Sequence, residues 1–253
     1  MKGFLTLSLL LLTSLYWGTE AQILNAESLR KVTDTSGFSG NAAVNFALKR
    51  NTRDFLTFSS DIHIQYKMNN HLILLKNDLA FQKIEGADLE NSNITHLRYN
   101  YKISSRTALE AFSQIQENKI NLIAHRALVG AGIRYKLSNS DNYKFYFGTL
   151  AMYEHEKLTD GITPIQENIR NSSYLSFSLY PRDNISIIST TYYQPLLKDF
   201  NDYRISNQSS LAVEMFKNVT LNISYTFTYD IFPAVGIPSS QYDLSTGIAY
   251  SFD

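Results

Sequence analysis

Gln241-Tyr242-Asp243-Leu244-Ser245-Thr246-Gly247-Ile248-Ala249-Tyr250-Ser251-Phe252, followed by Asp253, is the stretch on which the fold of this chain turns. In an extended chain, successive side chains point to opposite faces. Tyr242, Leu244, Ile248, Tyr250 and Phe252 then share one face, and Asp243, Ser245, Gly247, Ala249 and Ser251 share the other. One face is greasy, the other small and wet, and an aromatic closes the strand. A last strand of this kind suits a transmembrane β-barrel.

Working back toward the N-terminus, the same alternation recurs. It predicts strands over 37–49, 54–68, 71–85, 93–104, 106–117, 120–138, 142–157, 168–181, 184–195, 203–216 and 218–230, making twelve with 241–252. An even number suits a single-chain bacterial barrel. Within 218–230, Val219, Leu221, Ile223, Tyr225, Phe227 and Tyr229 oppose Thr220, Asn222, Ser224, Thr226, Thr228 and Asp230. Within 93–104, Leu97, Tyr99, Tyr101 and Ile103 oppose His96, Arg98, Asn100 and Lys102. A soluble sandwich also alternates, but its strands average nearer five or six residues. Helical periodicity is nearly absent after residue 31, with Ala26 to Val32 the one plausible helical turn.

The connections sharpen the expectation. Asn69-Asn70, Ser105, Asn139 to Asp141, Arg182-Asp183 and Lys217 read as tight turns, whereas Gly86 to Ser92, Leu158 to Glu167, Leu196 to Asp202 and Ile231 to Ser240 read as longer loops. Outer-membrane barrels pair short periplasmic turns with longer external loops, so the tight series is expected on the periplasmic side. The link at Asn118-Lys119 is the exception, being external by this count and short. Tyr66, Tyr101, Tyr135, Tyr143 and Phe252 are expected to form one interfacial girdle, and Tyr153, Tyr203, Tyr229 and Tyr242 the other.

The front of the chain agrees with the back. Met1, Lys2 and Gly3 give a short positive start, Phe4 to Leu15 an apolar run too short to span a bilayer, and Thr19-Glu20-Ala21 a small-residue cleavage site. Residues 1–21 are therefore read as a cleaved signal peptide, 22–36 as an N-terminal periplasmic segment, and 37–253 as the barrel. The expected location is the cell outer membrane. With no Cys among 253 residues, the chain is neither a disulfide scaffold nor anchored by a lipidated N-terminal Cys. Lys+Arg and Asp+Glu both total 23, which gives no basis for nucleic acid as a partner. The partners expected are outer-membrane lipids, the barrel assembly machinery through the C-terminal strand, and ions or small solutes. No cofactor or metal is expected.

Several blocks resemble a known family. They are Leu97-Arg98-Tyr99-Asn100, Glu110-Ala111-Phe112-Ser113-Gln114, Gln116-Glu117-Asn118, and Arg126 to Tyr135. Tyr153-Glu154-His155-Glu156, Thr191-Tyr192-Tyr193-Gln194-Pro195, Asp202-Tyr203-Arg204 and Tyr250-Ser251-Phe252 follow in the same order. Together they resemble the salt-induced outer-membrane proteins that carry domain of unknown function number 481. The resemblance implies a bacterial outer-membrane barrel of unassigned activity, with salt or osmotic stress as the context its name suggests.

Alternation turns Arg98, Glu110, Arg126, Arg134, Lys136, Glu154, Glu156, Arg204, Glu214 and Asp230 inward. Charges cannot face lipid cheaply, so inward is their default. Antiparallel pairing through the Asn139 to Asp141 turn is expected to bring Glu154 toward Arg126. Arg98, Glu110, Arg126, Arg134, Glu154, Glu156, Arg204 and Asp230 are thus candidates for a selectivity ring or ligand girdle. The alternative, a network that fills and stiffens a narrow barrel, is favoured.

Other chemistry is weaker. In Glu154-His155-Glu156 the His faces away from both carboxylates, so the three cannot converge on one metal. His63 and His96 point inward on separate strands without a partner motif. A lipid-active enzyme would need a Ser-His pair, and no Gly-X-Ser-X-Gly elbow or evident pairing exists, so no enzyme is expected. The leading expectation is a narrow pore or small-solute binding barrel. A structural or adhesive barrel, binding through loops 86–92, 158–167 and 231–240, is the alternative.

Overall fold

The computed structural model describes residues 36–50, 53–138, 140, 142–217 and 219–250. Twelve strands follow one another: β1 (Gly37–Arg50), β2 (Asp54–Met68), β3 (His71–Ile84), β4 (Ala87–Lys102), β5 (Thr107–Asn118), β6 (Ile123–Lys136), β7 (Tyr143–Leu158), β8 (Gln166–Arg182), β9 (Ile185–Leu196), β10 (Asp199–Phe216), β11 (Val219–Asp230) and β12 (Ser240–Tyr250). Each pairs antiparallel with the next in a single up-and-down sheet. The alternation predicted this all-β architecture and its strand count. Residues 1–35, which hold the expected signal peptide and nearly all of the 22–36 segment, lie outside the described residues, as do Asn139, Asp141, Phe252 and Asp253.

The expected loop rhythm is only partly present. Gly86 to Ser92 is not a loop: β4 begins at Ala87 and pairs with the end of β3, Ser92 opposite Ala80 and Ala87 opposite Ile84. Glu85 and Gly86 alone turn the chain, with φ of 52° and 81°, the left-handed pair of a type I′ hairpin. Leu196 to Asp202 is likewise mostly strand, with Asp199 opposite Leu196 and a register shift before Tyr203. Polar residues hid these strand ends from the alternation, because backbone ladders form whatever the side-chain polarity once a strand passes beyond apolar surroundings. The Asn118-Lys119 link is in turn longer than expected: β6 starts at Ile123, Leu122 has φ 57°, and Asn118 Oδ1 accepts the Asn121 amide at 2.8 Å. Two connections, 159–165 and 231–239, exceed any at the opposite end. They mark the loop end; 69–70, 103–106 and 183–184 mark the turn end.

The sheet is rolled. Tyr174 on β8 donates to Glu110 on β5 at 2.7 Å, and Arg204 on β10 pairs with Glu154 on β7, contacts that a flat sheet would not permit. Among the described residues β1 and β12 do not pair with each other, so the roll has two free edges.

Burial is inverted relative to a soluble protein. Among the described residues ten apolar side chains are buried against twenty-six polar or charged ones. The outward face carries Leu97, Ile115, Val129, Ile133, Leu175 and Ile169, all exposed. Tyr101, Tyr135 and Tyr143 are exposed toward the turn end, and Tyr153 and Tyr242 toward the loop end. At the loop end Tyr193, Tyr203 and Tyr229 form a row across β9, β10 and β11, with centroids 5.7 and 5.9 Å apart. On β12, Tyr242, Leu244 and Ile248 are exposed, the face that alternation assigned to them.

Candidate functional site

The interior has three levels. At the loop end, Glu154 on β7 is 1% exposed and is shared by guanidinium groups from three strands. Arg126 Nε donates to Glu154 Oε1 at 2.9 Å and Arg170 Nε to Oε2 at 2.9 Å, and Arg204 Nη1 also donates to Oε1. Glu156 takes Arg126 at 2.6 Å and Arg204 at 3.4 Å. Arg204 Nε reaches Asp230 at 2.7 Å, and Arg170 Nη1 reaches Asp202 at 2.9 Å. The cause is register. Arg126 sits opposite Glu156 and Leu128 opposite Glu154, so both carboxylates fall beside the β6 arginine. Buried charges of this kind persist only when each is paired and hydrogen bonded. Three guanidinium groups meet four carboxylates here, leaving no cationic excess.

At mid-height the interior is apolar. Phe112, Leu128, Leu150, Met152, Tyr174 and Tyr192 form one buried cluster, with Tyr174 and Tyr192 5.3 Å apart. Two glycines make room for it. A Cβ at Gly148 would come within 2.1 Å of the Tyr174 ring, and one at Gly130 within 2.6 Å of the Phe112 ring. His96 stacks on Phe112 at 5.4 Å and meets Gln114 at 3.0 Å. Below it, Glu110 accepts from Asn100 at 2.6 Å and Tyr174 at 2.7 Å, and pairs with Arg98 at 3.4 Å and Arg134 at 4.0 Å.

At the turn end the interior opens into a cavity of about 340 Å³. Lys67, Lys102, Arg106, Arg134, Lys136 and Lys144 line it, with Tyr146, Tyr180 and Ser178 between them. The Arg134 guanidinium lies 3.6 Å from the Tyr146 ring centroid, and Lys144 Nζ 5.6 Å from that of Tyr180. These side chains are half-buried or exposed, so water reaches the cavity.

The predicted inward residues therefore divide into two groups. Arg126, Glu154, Glu156, Arg204 and Asp230 converge at the loop end; Arg98, Glu110 and Arg134 converge beneath the turn-end cavity. Glu214 is exposed at the end of β10, and Lys136 lines the cavity. His155 turns outward, 3.5 Å from Glu167. Sequence reasoning missed Arg170 and Asp202. Arg170 is legible in the sequence, since it shares its strand face with Asn168 and Ser172; Asp202 falls in the 196–202 stretch that alternation reads as a loop. The cation cluster as a whole was also missed, because its members come from separate segments.

Solved structures of similar shape include a NanC porin, 9% identical, covering 78% of this chain and 94% of the porin at a TM-score of 0.49. A KdgM porin in complex with disordered oligogalacturonate is 12% identical, covering 84% of this chain and 100% of that one at 0.42. The translocator domain of the autotransporter NalP from Neisseria meningitidis is 10% identical, covering 89% and 91% at 0.43. No curated protein matches the chain. The family model described as protein of unknown function, DUF481, matches residues 30–252, nearly the whole of the sequence, and the chain belongs to that family.

Proposed function

We propose that this chain is an outer-membrane β-barrel whose interior is packed shut over most of its height and binds a small solute in the turn-end cavity. The observation that carries the reading is the inverted burial: polar and charged side chains inside, and rows of Leu, Ile, Val and Tyr outside. An exposed apolar band of that extent has a stable home only in lipid, where strands serve if no edge is left open. Pairing of β1 with β12 completes the barrel in that setting. On β1 the outward positions are Phe38, Ala42, Val44, Phe46 and Leu48, and the inward ones Ser39, Asn41, Ala43 and Asn45, so it has the faces of a proper stave. Lipids are then the partner of the outer face, and β12 is the segment offered to the assembly machinery.

The packed mid-height cluster and the ion network favour a binding barrel over an open channel, since together they fill the interior above the cavity. Catalysis has little support in the geometry. The buried Ser172, Ser176 and Ser189 hydroxyls meet Gln194, Thr190 and Ser209, and among the described residues no hydrogen bond joins them to a His.

The test is fractionation of a Gram-negative host expressing the full chain, with gel migration before and after heating. Outer-membrane recovery and a heat-dependent shift are expected; a soluble, unshifted protein contradicts the reading. In planar bilayers the same preparation is expected to show no steady channel steps in molar potassium chloride, and sustained conductance would restore the open pore.

A further inference from the structure

Six cations meet at the turn-end cavity, and among the described residues that line it there is no Asp or Glu. They come from β2, β4, the 103–106 turn, β6 and β7, so the fold assembles the cluster and no basic run in the sequence does. The carboxylate at its floor, Glu110, is engaged by Asn100, Tyr174 and Arg98 and also pairs with Arg134 at 4.0 Å, leaving Lys102, Arg106, Lys136 and Lys144 as the cations available to a ligand. Asp183 sits on a neighbouring turn and does not line the cavity. The loop end shows how this chain handles cations that need protein counter-charge: it supplies one carboxylate or more for each guanidinium.

Tyr146 and Tyr180 position Arg134 and Lys144 by ring contacts. Such a contact orients the Lys144 cation without cancelling its charge, whereas Arg134 also pairs with Glu110. Grouped like charges repel, and an anion among them removes that cost while gaining charge-assisted hydrogen bonds. Guanidinium and ammonium donors suit phosphate and carboxylate oxygens. About 340 Å³ is the lower range of small-molecule pockets, too small for a folded partner.

We propose that the turn-end cavity binds a small organic anion carrying two or more phosphate or carboxylate charges. The proposal names the solute class for the binding barrel above and rests on that reading for its setting, but the binding itself is measurable in detergent whatever the protein's location.

The full chain, refolded in detergent, is titrated by calorimetry with inorganic pyrophosphate and separately with citrate, with a neutral disaccharide as control. Saturable binding of at least one anion and none of the sugar is expected. A pyrophosphate preference assigns phosphate chemistry, and a citrate preference assigns carboxylate. Arg106→Ala combined with Lys144→Ala should weaken binding about tenfold or more, the loss expected for charged hydrogen bonds. Lys198→Ala, at the loop end, should leave it unchanged. If the double variant does not refold, Lys102→Gln at the exposed rim replaces it, with a loss of about threefold. No saturable binding of either anion, or equal losses for the cavity and Lys198 variants, overturns the proposal. Failure of membrane fractionation with anion binding intact would instead refute only the outer-membrane reading.

Discussion

At the loop end of the interior, Arg126, Arg170 and Arg204 share four carboxylates; at the turn end, six cations share a cavity with no carboxylate among its described lining residues, and of these Arg134 reaches Glu110 below. The difference follows burial. Arg126 and Glu154 are 2% and 1% exposed, where desolvation is costly and each charge must be answered within the protein. Lys102, Arg106, Lys136 and Lys144 at the turn end remain half-buried or exposed, so water can stand in for a counter-ion until a solute arrives. One end is structure; the other keeps its charge available.

The comparison breaks most readily at Glu154. Glu154→Gln removes the charge shared by the three guanidinium groups and should destabilise the refolded protein by about 3–5 kcal/mol in urea unfolding. A loss below about 1 kcal/mol would mean that the loop-end network is not what holds that half together. Gly148→Ala comes next. Its Cβ would lie 2.1 Å from the Tyr174 ring, and overpacking of this kind costs about 1–3 kcal/mol. Recovery of that stability in Gly148→Ala with Tyr174→Ala would sharpen the assignment to the mid-height cluster. Lys136→Ala, in the cavity, should change stability by no more than about 0.5 kcal/mol while it alters anion affinity. A larger stability loss would make the turn end a second structural network.

The smallest effect is one of pH. Asp160, in the 159–165 loop, has its carboxyl held below the ordinary value by the Thr163 hydroxyl first, then by the Thr163, Ile162 and Val235 amides. A depressed folded value contributes stability that is present above the ordinary carboxylate range and is lost as pH falls through the folded value. Acidification below about pH 4 should therefore loosen the contact between the 159–165 and 231–239 loops, seen as faster hydrogen exchange at Val235. Asp160→Ala should show that faster exchange at every pH. Exchange at Val235 that ignores both pH and the substitution would detach Asp160 from the loop contact.

Much of this molecule could be read from the order of its residues. Period-two alternation identified the twelve strands and the inward face, and one hairpin register was enough to bring Arg126 to Glu154. Where strands ran into polar sequence, at Ala87 to Ser92 and Asp199 to Asp202, alternation lost the signal and loops were expected in place of ladders. Asp202 was hidden for that reason. Tyr174 meeting Glu110, and six lysines and arginines from five segments meeting at one end, depend on how tightly the sheet rolls. Curvature is a property of the whole sheet and leaves no mark in any one strand.

The central claim, an interior sealed at the loop end and open at the turn end, can be tested on a single strand. Ser172 and Ser178 both lie on β8; Ser172 is buried beneath the Gln194 amide, and Ser178 lines the cavity. The chain has no cysteine, so Ser172→Cys and Ser178→Cys each introduce one reporter. The decisive measurement is the rate at which a small anionic thiol reagent labels each variant in refolded protein. Rapid labelling at 178 with protection at 172 is the predicted result; equally rapid labelling at both would mean a continuous water-filled pore and would contradict the account.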